Sequence, residues 1–195
     1  AAVGYSEADI DFNAPGVNGD ISSRYLSLYG SWDKDHAYAE GVMTYGRNDY
    51  DQQRTVDVVG FRRFVQSDHD GTVLATSVAG GLMYPAGGWS LGPYAALHYA
   101  RIHEDSFLET GAGGVALRMN ARDTDYLSTD LGFRALHSLN WGEDTIVTEL
   151  NAAWNHDFDI DSRVMNGSFA GAPGTSFALD GRDVERNGAL FGVGL

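Results

Sequence analysis

The chain has 195 residues, among them 25 Gly and only 4 Pro, with 12% aromatics and a net charge of −14. That acidity argues against a nucleic-acid partner, and the lack of Cys excludes disulfides and thiolate metal sites. No apolar run approaches the roughly 20 residues of a membrane-spanning helix, and the Gly and aromatic content favours strands joined by turns.

In chain order, Ala1 to Phe12 and Ser23 to Trp32 read as strands. The tight connection Asp33-Lys34-Asp35-His36 leads into a third strand, Ala37 to Tyr45. There Ala39, Met43 and Tyr45 share one face and Tyr38, Glu40 and Thr44 the other, a period of two. A long polar stretch, Arg47 to Asp70, is expected to be a loop, with Asp68-His69-Asp70 at its tip. The strand Thr72 to Tyr84, the tight turn Pro85-Ala86-Gly87-Gly88 and the strand Ser90 to Ile102 follow. After a second long loop, His103 to Asp125, comes the strand Leu127 to Ser138. In it Leu127, Leu131, Phe133 and Ala135 oppose Ser128, Asp130, Gly132 and Arg134. Asn140-Trp141-Gly142-Glu143-Asp144 is the third tight turn. It opens the strand Thr145 to Asn155, where Ile146, Leu150, Ala152 and Trp154 oppose Glu149, Asn151 and Asn155. The third long stretch, Asp157 to Asn187, holds a short extra strand near Thr175 to Leu179, and Gly188 to Leu195 is the eighth strand.

Tight and long connections therefore alternate, as they do in an even-numbered antiparallel barrel with short periplasmic turns and long external loops. The expected fold is all-β, an antiparallel up-and-down transmembrane β-barrel, its strands close to the roughly 9–11 tilted residues that cross a bilayer. The mean hydropathy of −0.26 is compatible with this, because every second residue of such a strand faces a polar lumen. A soluble sandwich would show the same alternation with its apolar face in a core, and periodicity alone leaves both open. The sorting of loops by length favours the membrane.

Facing follows from cost, since Arg or Lys turned to lipid costs about 2–4 kcal/mol near the midplane. Glu40, Asp130, Arg134, Glu149 and Asn151 are thus expected to line the pore, and Leu127, Leu131, Phe133, Leu150 and Trp154 to face lipid. Trp32, Trp89 and Trp141 each sit beside a short turn, where a periplasmic aromatic girdle belongs.

Chemistry-bearing motifs are weak. Asp157-Phe158-Asp159-Ile160-Asp161 starts like a calcium loop, but Ser162 and Ser168 stand where Gly and Glu are needed. The six His residues lack metal-ligand spacing. No Gly-x-Ser-x-Gly elbow occurs, and neither Gly80-Gly81 nor Gly111 to Gly114 continues into a phosphate-binding helix. No cofactor, no metal and no catalytic activity are expected, and no nucleophile is expected to meet a base.

Three segments resemble the β-barrel translocator domain of the autotransporters, the type V secretion proteins. The first is Tyr25-Leu26-Ser27-Leu28-Tyr29-Gly30-Ser31-Trp32 with Tyr38 to Gly46, Tyr50 and Arg54. The second is Gly92-Pro93-Tyr94-Ala95-Ala96-Leu97-His98-Tyr99 with Phe107, Glu109 and Leu131-Gly132-Phe133-Arg134. The third is Trp154-Asn155-His156-Asp157-Phe158 with Phe169, Phe177, Gly181, Arg186 and Phe191-Gly192-Val193-Gly194-Leu195. The resemblance implies a barrel of about twelve strands threaded by a helix, of which residues 1–195 would be the third to tenth strands of a single domain cut at both ends. It also implies an outer-membrane location and export of an N-terminal passenger. The partners it implies are that passenger, outer-membrane lipids and the barrel-assembly machinery. A small-solute channel and a soluble β-sandwich binding module are the alternatives.

Overall fold

The structure is a computed structural model that describes residues 1–11, 16–58, 60–142, 144–160, 164–179, 181 and 185–195. Phe12, Glu143, Asp161 and Ser162, which figure in the expectations above, lie outside the described residues. The strands are β1 (Ala2–Asp11), β2 (Val17–Lys34), β3 (Ala37–Val58), β4 (Phe61–Leu82), β5 (Tyr84–Ala86), β6 (Trp89–Glu104) and β7 (Phe107–Leu108). They continue as β8 (Leu117–Met119), β9 (Arg122–Trp141), β10 (Asp144–Ile160), β11 (Met165–Phe169), β12 (Ala172–Leu179) and β13 (Asn187–Gly194).

The main sheet runs β1-β2-β3-β4-β6-β9-β10-β13, with β5 paired to β6. All its pairings are antiparallel, and no pairing among the described residues joins β1 to β13. The three tight turns are where they are expected. Lys34↔Ala37 and Ala86↔Trp89 each close a two-residue connection, and Trp141↔Asp144 closes the third. Gly87 and Gly88 both have positive φ, 58° and 88°, as a primed hairpin turn matched to strand twist requires.

The first long stretch is not a loop. β3 and β4 have 22 residues each, and their register runs unbroken from Arg47↔Thr72 to Val58↔Phe61. The reason is environmental. Period-two hydrophobicity marks strand faces in different surroundings, whereas both faces of this extension carry polar residues, so backbone pairing persists without the signal. His69 accordingly lies within β4, not at a loop tip. The other two long connections build a second sheet, β12-β11-β8-β7, and β12 contains the short strand expected near Thr175. An isolated bridge, Gln66↔Thr110, ties this sheet to β4. A small core of Val65, Ala112 and Ala116, with Val56 and Ala170 packed on it, backs that tie.

Register sorts the main sheet into two faces. One carries Leu28, Met43, Val78, Leu97, Leu131 and Phe133, all exposed, Phe133 at 63%. The other carries Ser128 at 1%, with Asp130 and Asp157 also buried. A water-soluble sheet would reverse this order, and so large an exposed apolar face marks an interaction surface. No helix is long and apolar enough to cross a membrane. Val56 and Val65 belong by register to the face that carries Glu40. The second sheet therefore rests on the polar face of the main sheet, at its long-hairpin end.

Candidate functional site

Cross-strand alignment places side chains of like parity about 4.5–5.5 Å apart on one face, and it assembles two polar clusters. The first centres on Arg134, in β9. Its Nη2 donates to Glu40 Oε1 at 3.1 Å, and its Nε pairs with Glu149 Oε1 at 3.0 Å, off-axis for a hydrogen bond. The guanidinium lies over Tyr38 and Tyr94, 5.2 and 5.4 Å from the ring centroids. Room for this comes from the row Tyr38↔Gly81↔Tyr94↔Gly132. A Cβ on Gly81 would come within 2.8 Å of the Tyr38 ring, and one on Gly132 within 2.4 Å of the Ala152 carbonyl. Asn151 Nδ2 donates to Glu149 Oε1 at 3.5 Å. Thus Glu40, Arg134, Glu149 and Asn151 are brought together from β3, β9 and β10.

Asp130 belongs to a second cluster. Asn155 Nδ2 donates to Asp130 Oδ1 at 2.7 Å, His98 Nε2 lies 3.1 Å from Asp130 Oδ2, and His98 Nδ1 shares a 2.8 Å hydrogen bond with Ser77 Oγ. This corrects the expectation that no nucleophile meets a base. Ser77 and His98 face each other across β4 and β6, a neighbourhood that sequence spacing does not reveal. Ser77 lies mid-strand between paired strands. The backbone N–H groups there serve the ladder, so a tetrahedral oxyanion would find no preorganised donors.

The expected lipid-facing residues lie on the opposite face. Leu131, Phe133, Leu150 and Trp154 are exposed, and Leu127 is half-buried opposite Tyr99. Trp32, Trp89 and Trp141 fall on that face too by register, each at the short-turn end.

At the long-hairpin end, Glu109 fastens the second sheet. Its carboxylate accepts Arg54 Nε and Nη2 at 2.7 and 2.6 Å and the Leu117 N–H at 2.7 Å. The His69 ring stacks between Tyr50 and Phe107, at 4.8 and 4.4 Å. Burial, aided by Arg122, holds the His69 pKa below its ordinary 6.5, against the pull of Asp105, Asp68 and Asp70. The unfolded chain thus binds that proton first. This contact is at full strength above about pH 6.5 and weakens as pH falls through the lowered folded value. His103 works the other way. Hydrogen bonding to Asp123, with Asp105 helping, raises its pKa; its contribution is present below pH 6.5 and lost as pH rises, and exposure keeps it small. Acidification from about pH 7.5 to 5 should therefore lower the amide protection factors at Phe107–Leu108, taken relative to the intrinsic exchange rate at each pH, and His69→Phe should flatten that response. An unchanged response in the variant would place the titration elsewhere.

Among the described residues, no group of three or more His, Cys, Asp or Glu is arranged to hold a metal ion. Sequence reasoning missed Tyr94 as an Arg134 contact, Ser77 and His98 as a pair, and Glu109 as a fastener. Aligning the strands residue by residue from each tight turn would have found the first two.

The family model described as Autotransporter beta-domain matches residues 1–195. Curated proteins named Esterase EstA from Pseudomonas aeruginosa and Pseudomonas putida are each 26% identical over 186 residues, 92% of this chain. The chain spans only 28% of their length. The solved translocator domain of the autotransporter NalP from Neisseria meningitidis is similar with a TM-score of 0.61 and 18% identity. The likeness covers 91% of this chain and 67% of that one.

Proposed function

The chain belongs to the autotransporter β-domain family, and we propose that its polar strip is the lumen wall along which an N-terminal passenger reaches the cell surface. It is an outer-membrane translocator domain. The supporting observation is the division of the sheet. Arg134 with Glu40 and Glu149 lies on one face, and exposed Leu131, Phe133, Leu150 and Trp154 lie on the other. A passenger segment in transit has unpaired backbone groups, each costly away from water or a polar partner. Glu40, Asp130, Arg134, Glu149 and Asn151 keep that path hydrated. Residues 1–195 act as one unit of the barrel wall. Its partners are the passenger, lipid on the apolar face and the assembly machinery that inserts outer-membrane barrels. Any ester hydrolysis by the whole protein resides outside residues 1–195, and the Ser77–His98–Asp130 chain orders the lumen without acting as a nucleophile. A small-solute channel would share the two faces but has no support from the family match.

Facing is checked by spin labels. Labels at Leu131, Phe133 and Leu150 should be quenched by a lipid-soluble reagent, and a label at Asp130 should not; the reverse pattern would invert the barrel. Export is checked by combining Glu40→Gln, Asp130→Asn and Glu149→Gln. Passenger arrival at the surface should slow about fivefold, equivalent to ~1 kcal/mol of barrier, while the barrel still inserts. Normal export by an inserted triple variant would remove these residues from the path.

A further inference from the structure

We infer that the apolar face carries a site for a phosphorylated lipid at the upper edge of its lipid belt, built on Arg24 and Arg47. The two arginines sit directly opposite each other in the β2–β3 register and on the face of Leu26, Leu28 and Met43. Both lie ten residues beyond the Lys34↔Ala37 pair that closes the short turn. A tilted strand crosses a bilayer in roughly 9–11 residues, so the pair lies at headgroup depth. Like charges directly opposite on a sheet repel, and this chain is otherwise strongly acidic, at −14 overall. Arg47 has one distant partner, Asp70 at 3.7 Å, while Arg24 has no ion pair among the described residues. A phosphate between two guanidiniums converts the repulsion into charge-assisted, bidentate contacts.

The surroundings fix which anion fits. A recess of about 960 Å³ is lined by Arg24 and Arg47 with Leu26 and Tyr45 among the apolar side chains, and by Asp49 and Asp70 on its outer side. Below the arginines, toward the short turn, Val3 is 82% exposed and Leu28 55%, giving acyl chains a lane to lie along. Above them Asp49 faces Asp70 in the next row outward, with Glu7 opposite Ser22 beside them. Those carboxylates repel a phosphate that drifts toward bulk water. Phosphate above and hydrocarbon below is the chemistry of an anionic lipid. The long hairpins place the site in the outer leaflet, and two opposed guanidiniums above an apolar lane match a lipid whose headgroup carries two phosphates, a bisphosphorylated saccharolipid. This step rests on the outer-membrane reading and on the long hairpins facing outward.

The test uses the full-length protein, purified in detergent and exchanged into nanodiscs. The probes are bisphosphorylated lipid A, the same lipid with its phosphates removed, and phosphatidylglycerol. Native mass spectrometry reads the lipid retained. Wild type should keep bisphosphorylated lipid A, and R24A/R47A or dephosphorylation should cut retention by about tenfold or more. R63A, on the distant hairpin tip, should match wild type. Full retention by R24A/R47A would overturn the site, and loss on chelation of divalent cations alone would move binding to the carboxylates. Equal retention of phosphatidylglycerol, or displacement by inorganic phosphate, would overturn the assignment to a saccharolipid. Membrane fractionation of the same variants separates this result from a failure of the outer-membrane reading, which would appear as protein missing from that fraction.

Discussion

Replacing Glu109 by Ala should free the second sheet while leaving the main sheet paired. Its side chain is only 7% exposed, and it satisfies three donors at once, two on Arg54 and the Leu117 N–H. Truncation orphans the amide and strands a guanidinium that is 32% exposed, and so can partly rehydrate. Breaking a buried pair costs about 3–5 kcal/mol; with that rehydration, ~2–3 kcal/mol is the expected loss. What remains to hold the sheet is slight. Its other ties to the hairpin are one bridge, Gln66↔Thr110, the Phe107 ring stacked on His69, and a core of one Val and two Ala with two partly buried neighbours. Amide exchange across β7, β8, β11 and β12 should accelerate by roughly 30- to 150-fold, and β9 and β10 should be unaffected. Glu109→Gln keeps the shape and an acceptor for Leu117, so it should fall between. Because the sheet rests on the polar face of the long hairpin, its release should also raise ion conductance in planar bilayers. Unchanged exchange in Glu109→Ala would mean that the sheet is held by something other than this carboxylate.

How much of this was legible depends on what imposed the pattern. The parities of Leu131 against Asp130 and of Leu150 against Glu149 are plain in the sequence, because each strand divides two unlike surroundings. The β3–β4 extension is not, since residues such as Asp49, Gln52 and Gln53 have polar neighbours on both faces and leave pairing without a hydrophobic period. The second sheet is hidden for a different reason. The Gly167↔Met119 pairing joins segments far apart in the chain, and no local propensity encodes such a contact. The Arg134 cluster was half legible. Its charges could be assigned to one face, but the seating of Tyr38 against Gly81 depends on register, and Gly in a strand signals only that something approaches closely. The Ser77–His98–Asp130 chain shows the same limit, because its members become neighbours only once β4, β6 and β9 are aligned.

Arg134→Leu should lower the temperature at which the folded barrel loses its heat-modifiable mobility, and the size of the drop can be bounded from the contacts. The two ion pairs are partly exposed, with Arg134 at 22% and its glutamates at 45% and 35%. They belong between surface pairs, worth about 0–1 kcal/mol each, and fully buried ones. Two cation–π contacts add roughly 0.5–1 kcal/mol each. The contacts share one guanidinium and are not additive, so ~2 kcal/mol is the expected total. Arg134→Lys should recover part of this. An ammonium keeps the charge, but it cannot serve Glu40 and Glu149 while lying flat across two rings. Arg134→Leu combined with Glu40→Gln and Glu149→Gln should recover part as well, because much of the cost is the repulsion of two carboxylates left facing each other without a cation. If the triple variant melts as early as Arg134→Leu alone, the guanidinium acts through its packing on Tyr38 and Tyr94, and the cluster holds the strands together by shape more than by charge.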